Sequence, residues 1–104
     1  MASNFKTLVL QSTYDVLVLF DSDQCHQCKA LKVIYEEVAE RLRNNRYIRF
    51  YWINTSKNEI LGVGEVSAKP LVRFYAHRDK TQPLDFSGYR RVVEIIRQLE
   101  RKTS

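Results

Sequence analysis

Cys25 and Cys28 are the only two cysteines in the chain, and they stand three positions apart in the segment Cys25-His26-Gln27-Cys28. Such a close pair is a local unit. It can bind a metal or carry a reversible disulfide, but it cannot form a structural framework, which needs several cysteines spread along a chain. As ligands, Cys25, His26 and Cys28 fall one short of the four that a structural zinc site takes. The only other histidine, His77, stands alone in a predicted turn and reads as a surface residue. Two inert cysteines would also fit so short a pattern. Position favours redox chemistry, because the pair lies where an apolar run stops and a helical pattern begins.

At a helix start the backbone N–H groups are unpaired and carry partial positive charge, which stabilises a thiolate. Thiolate is the nucleophile in disulfide exchange. Cys25 is therefore the expected attacking thiol. Cys28, one helical turn on, is the expected resolving thiol that attacks a mixed disulfide and releases the substrate. His26 and Gln27 lie between them in a supporting role. A protonated His26 would favour the thiolate further, whereas Asp21 and Asp23 upstream oppose a nearby negative charge.

The elements that must hold this pair follow from pattern. Asp15 leads into Val16-Leu17-Val18-Leu19-Phe20, an apolar run without alternation, as in a central strand covered on both faces. Asp21-Ser22-Asp23-Gln24 is a polar loop. From Cys25, apolar residues Leu31, Ile34, Tyr35, Val38 and Leu42 recur at helical spacing, predicting a helix to about Asn44. Before the strand, Ser3 or Asn4 can cap a short helix through Gln11 with Phe5, Leu8 and Val9 inward. Arg49 to Asn54 is a second strand, rich in aromatics. Thr55-Ser56 can cap a short helix through about Leu61, ended by Gly62 and Gly64. Residues 70–75 form a third strand, His77 to Lys80 a turn, and Pro83 to Phe86 a short return strand. Gly88 precedes a last amphipathic helix with Val92, Val93, Ile96 and Leu99 as its apolar stripe. Strands separated by helices argue for parallel pairing, and the final tight turn for an antiparallel hairpin. The expectation is an α/β fold: a central four-stranded mixed sheet flanked by helices on both faces, forming a single domain over residues 1–104.

With these residues in place, the sequence resembles the thioredoxin superfamily, and within it the catalytic domains of protein disulfide isomerases. The approach Ser3-Asn4-Phe5, Val9-Leu10-Gln11-Ser12 and Val16-Leu17-Val18 is similar, and Cys25 to Cys28 match the family's active-site pair. Lys29, Leu31 and Tyr35 match the following helix, Pro70 the family's cis-proline, and Phe86 and Gly88 the closing segment. The resemblance implies a thioredoxin fold and a thiol–disulfide oxidoreductase acting on protein disulfides. It also implies a cis Lys69–Pro70 bond beside the site, and substrate contacts at Gln24, Lys69 and Gly88.

The departures are specific. Gln24 stands where an aromatic usually precedes the first cysteine, Leu19 replaces a buried acid, and Val33 replaces the helix-kinking proline. Lys69 occupies a position usually small or β-branched. Without the acid, deprotonation of Cys28 should slow. The implied enzyme is narrower than a general-purpose reductase. The alternative is a thioredoxin-fold binding or adaptor module with a vestigial or regulatory pair. A glutathione carboxylate site is not evident, since Phe86-Ser87-Gly88 lacks a paired-glycine and acidic motif.

The formal net charge of +5 invites a nucleic-acid reading. The arginines concentrate near predicted helix ends and exposed faces, and the aromatics fall on apolar faces, so no nucleic-acid partner is expected. No apolar run approaches the ~20 residues of a membrane span. The start does not read as a signal peptide, so a complete chain would be cytoplasmic by default, while an excised extracytoplasmic domain would look the same. No cofactor beyond the cysteine pair is implied. The expected partners are protein thiols or disulfides and a recycling reductase or oxidase, with the chain itself a monomer.

Overall fold

A computed structural model of the chain describes residues 3–57, 60, 63 and 70–103. Strand β1 (Asp15–Asp21) is its spine, and the first six of its seven residues are buried. The missing alternation in this run has a direct cause. Leu17 and Leu19 point into one apolar cluster, while Val16, Val18 and Phe20 point into another on the opposite face. Burying a side chain of this size stabilises the fold by about 1.5–3 kcal/mol, so a polar substitution on either face of β1 would be costly.

Around β1 the sheet has four strands in the order β2-β1-β3-β4, with β2 (Ile48–Asn54), β3 (Leu71–Tyr75) and β4 (Leu84–Asp85). β2 runs parallel to β1, pairing Leu19 with Trp52 and Asp21 with Asn54. β3 runs antiparallel to β1, pairing Phe20 with Leu71 and Val16 with Tyr75, and β4 returns antiparallel to β3. The mixed sheet is as expected, but parallel pairing across every helical connection is not. The chain leaves β2 at one edge and re-enters beyond β1, and a connection that crosses the sheet can enter from either end.

Helix α2 (His26–Arg41) and helix α3 (Val92–Thr103) cover the Leu17/Leu19 face through Leu31, Tyr35 and Val38 and through Ile95 and Leu99. The other face is covered by Val9 and Ile60, with Phe5 and Val63 packed against them. Helices therefore flank both faces. Tyr35 ties α2 to the turn that precedes α3, its buried hydroxyl donating to the carbonyl of Phe86 at 3.1 Å and reaching that of Tyr89 at 3.4 Å.

Three local expectations are corrected. The N-terminal helix α1 (Ser3–Phe5) widens into a π-helical turn over Lys6–Leu10, closed by Gln11 N–H donating to Lys6 O at 2.7 Å. Adding a residue to the turn rotates Leu8 outward to 42 % exposure, while Val9 stays buried. In α3, Ile95 takes the core position and Val93 is 53 % exposed, because residues 92, 95, 96 and 99 share one face and 93 lies off it. α2 stops at Arg41, where Leu42 N–H donates to Val38 O and the chain turns through Asn44. Thr55 to Lys57 form a turn. The rest of the short helix expected to reach Leu61, with Gly62 and Gly64, lies outside the described residues apart from Ile60.

Candidate redox site

The cysteine pair sits where the end of β1 meets the start of α2. Cys25 is the N-cap residue of α2 in an extended conformation, φ −100° and ψ 91°, and Cys28 lies in the helix's first turn. The two are joined as a disulfide with a Cα–Cα distance of 5.3 Å. Extended backbone at Cys25 followed by helix brings residues three apart close enough for their sulfurs to bond. Cys25 N–H donates to Ser22 O and Cys28 N–H to Cys25 O, so the turn carrying the pair is held by backbone bonds on both sides.

The Asp21–Gln24 loop is pinned from two directions. From within, Ser22 N–H donates to Asp21 Oδ1 at 2.7 Å and Gln24 N–H to Ser22 Oγ at 3.2 Å. From the end of β2, Asn54 Nδ2 donates to Asp23 Oδ1 and Asp23 N–H donates to Ser56 Oγ, both at 3.0 Å. Thr55 gives both its N–H and its hydroxyl to the carbonyl of Asp21. These short polar residues are what a turn between strand and helix needs, since their side chains replace ladder bonds that the backbone has lost.

Both cysteines are buried, Cys25 to 2 % and Cys28 to 0 % exposure. His26 and Gln27 between them are exposed, as is Gln24. The Cys28 sulfur lies 3.8 Å from the carbonyl oxygen of Phe20, an acceptor for its thiol proton in the reduced state. Leu19 is buried in the apolar cluster with Leu31 and Tyr35. A carboxylate does stand near the sulfurs, two residues further on: the Asp21 carboxylate and both sulfurs lie within 4.8 Å of one another. Among the described residues this is the one cluster of groups able to hold a metal, and it offers three donors where a structural zinc takes four.

Pro70 is buried immediately before β3. Because Leu71 pairs with Phe20, Pro70 falls at the cysteine end of the sheet. The Lys69–Pro70 bond and Lys69 itself lie outside the described residues. Gly88 sits in an exposed turn in which Tyr89 N–H donates to Phe86 O. That turn is joined to β3 by Val72 N–H donating to Ser87 Oγ at 2.9 Å. Burial pushes the Tyr35 hydroxyl well above its ordinary range, so it remains a donor across neutral pH.

His77 is the residue most underrated by its sequence context. Its backbone N–H and its ring Nδ1 both meet Asp15 Oδ1, at 2.7 and 2.8 Å. Asp15 is buried at the far end of β1 from the cysteines. The signal available in the sequence was an acid heading an otherwise apolar strand, since a buried carboxylate must find donors.

The comparisons with known proteins agree with this geometry. The thioredoxin family model matches residues 1–101. Over its whole length the chain is 28 % identical to a probable protein disulfide-isomerase ER-60 of Schistosoma mansoni, and it spans 22 % of that protein. It thus spans about a fifth of the length of such curated relatives. The first thioredoxin domain of mouse protein disulfide-isomerase A4 superposes with a TM-score of 0.71 at 27 % identity, covering 95 % of this chain and 69 % of that one. The Trx4 domain of ERdj5 shares the fold with a TM-score of 0.76 at 19 % identity, covering 98 % and 90 % of the two chains. No helix of the described residues is long and apolar enough to cross a membrane.

Proposed function

The chain belongs to the thioredoxin family, and from that membership we propose that it catalyses thiol–disulfide exchange with protein substrates through Cys25 and Cys28. The observation that carries this reading is the disulfide itself, closed across the first turn of α2 with Cys25 as the N-cap residue. In the reduced protein the helix start favours a thiolate on Cys25. That thiolate attacks a substrate disulfide, and Cys28 then attacks Cys25 Sγ, closing the intramolecular bond and releasing the substrate thiol. The pair is the whole redox group, with no further cofactor. A partner reductase or oxidase returns it to its starting state.

Gln24, Lys69, Pro70 and Gly88 are the proposed substrate contacts. Supporting this, Gln24 and Gly88 are exposed and Pro70 lies at the cysteine end of the sheet. An extended peptide could be bound there by strand-like pairing. The domain acts as a monomeric unit over residues 1–104.

The test is the reduction potential of the pair, obtained by equilibrating the protein against defined thiol/disulfide buffers and counting free thiols. A value near about −270 mV marks a reductase suited to the cytoplasm. One near about −180 mV marks a disulfide donor or isomerase suited to an oxidising compartment. A Cys28→Ser variant should then trap substrates as mixed disulfides on Cys25.

One observation favours the second reading, a binding or adaptor module whose cysteine pair is vestigial or regulatory: Cys25 is only 2 % exposed. On that reading the pair would stay oxidised across the whole buffer range.

A further inference from the structure

Closing the disulfide from a mixed-disulfide intermediate requires Cys28 to lose a proton. Its surroundings make that difficult: Cys28 is fully buried, and the nearby Phe20 carbonyl can accept a hydrogen bond but cannot take a proton away. Leu19, one residue earlier on β1, is hydrocarbon inside the core. What the structure brings to the sulfurs is Asp21, whose carboxylate lies within 4.8 Å of both.

We propose that Asp21 is the proton acceptor for Cys28 in the step that closes the Cys25–Cys28 disulfide, an inference that rests on the exchange reading above. A separation within 4.8 Å can be spanned by a single bridging water, which is within the reach a general base needs. Asp21 is held for this role. Its Oδ1 accepts the Ser22 amide, its backbone carbonyl accepts both donors of Thr55, and its half-buried position keeps it in contact with solvent. A base that must receive a proton from a buried thiol and hand it on belongs at such a boundary.

The Cys28 S–H proton passes to the Asp21 carboxylate, and the Cys28 thiolate attacks Cys25 Sγ. The Cys25–Cys28 bond forms as the bond from Cys25 to the substrate sulfur breaks, and its electron pair leaves on the substrate thiolate. The two protein thiols lose two electrons to the substrate disulfide over the full reaction. Asp21 then releases its proton to solvent or to the departing thiolate.

Asp21 also exerts a plain electrostatic effect, and that effect has the opposite sign. A carboxylate near two sulfurs disfavours their thiolates, so removing its charge makes Cys28 easier to ionise. The titratable and charged residues on the segments next to it are Asp23 in the same loop, bonded to Asn54 at the end of β2, His26 and Lys29, exposed in the first turn of α2, and Lys57 in the turn after β2. All four remain when Asp21 is changed.

The experiment uses dithiobis(nitrobenzoate), a small disulfide whose released aryl thiolate is coloured, so the result does not depend on the natural substrate. Mixed with the reduced chain, it releases one thiolate when Cys25 attacks and a second when Cys28 closes the bond. In Asp21→Asn, which keeps an oxygen for the Ser22 amide, the second phase is expected to slow at least tenfold near pH 6.5. The deficit should shrink as pH rises and Cys28 ionises unaided. Asp21→Glu should recover part of the rate, and Asp23→Asn should stay within twofold of the unaltered chain. A second phase in Asp21→Asn that is unchanged or faster overturns the proposal and leaves Asp21 a fixed charge, as does equal slowing by Asp23→Asn. Release of a single thiolate by the unaltered chain would instead bring down the exchange reading, and this proposal with it.

Discussion

His77 brings two donors to one oxygen of Asp15: its amide at 2.7 Å and its ring Nδ1 at 2.8 Å. The partners are 62 residues apart in sequence. The carboxylate side chain is 3 % exposed and the imidazole 45 % exposed. The pair fastens the segment after β3 to the first residue of β1. Six strand intervals separate Asp15 from Asp21, about 20 Å, so this fastening stands well away from the sulfurs.

Asp15→Ala should therefore cost about 2–3 kcal/mol, because two charge-assisted hydrogen bonds are lost and two donors are left behind. His77→Ala should cost less, about 1–2 kcal/mol, since the backbone amide of residue 77 still serves the carboxylate. Urea unfolding gives both values. The reduction potential of the cysteine pair should be the same in both variants, and a shifted potential would show that the two ends of β1 are coupled.

How far the sequence could be read follows from which contacts are local. β1 was legible because a strand with Leu17 and Leu19 on one cluster and Val16, Val18 and Phe20 on the other leaves no polar position along its apolar stretch. Cys25 and Cys28 were legible for the same reason, since their spacing and place at a helix start are properties of adjacent residues. The approach of Asp15 to His77, the direction of β3 and the exact stripe of α3 depend on partners brought in from elsewhere in the fold. Asp21 belongs in between. Its nearness to the cysteines in sequence was visible, but its approach to within 4.8 Å of both sulfurs depends on how the loop is pinned by Asn54, Thr55 and Ser56.

Tyr35 gives a second prediction. Its hydroxyl is buried and reaches the carbonyls of Phe86 and Tyr89. Tyr35→Phe should lower stability by about 1–2 kcal/mol by leaving those acceptors short of a donor. Burial raises its pKa above the ordinary 10.0, and Tyr75 is raised for the same reason. A raised folded value means that the unfolded chain gives up these protons first. Their contribution is full below pH 10.0 and is lost as pH climbs beyond it. Tyr35→Phe should show a shallower alkaline loss in unfolding midpoints between pH 9 and 11, and an equal slope would contradict the assignment.

At the acid end the relevant group is Asp85 in β4. The Ser87 hydroxyl beside it, and then the Ser87 amide, which donates to its Oδ1 at 2.8 Å, hold its pKa below the ordinary 3.8. For a lowered carboxylate the sign is reversed: the contribution is present above 3.8 and disappears as pH falls through the folded value. Asp85→Ala should therefore lose less of its stability between pH 5 and pH 2 than the unaltered chain does. Guanidinium midpoints at the two pH values would check this.

The last prediction concerns access. An incoming thiolate must reach Cys25 Sγ in line with the bond to Cys28, yet Cys25 is 2 % exposed and Cys28 is sealed. Gln24, at the position where an aromatic would be usual, is exposed and adds no apolar wall for a large substrate to rest on. Exchange rates depend on access as well as on thiolate fraction. At equal thiolate concentration, a small dithiol should therefore reduce the oxidised chain roughly tenfold faster than a protein dithiol of similar potential. Acid-quenched alkylation followed by mass measurement gives both rates. A protein dithiol that reacted as fast as the small one would mean that the cysteine end of the sheet opens readily to large partners, and that the burial of Cys25 does not limit exchange.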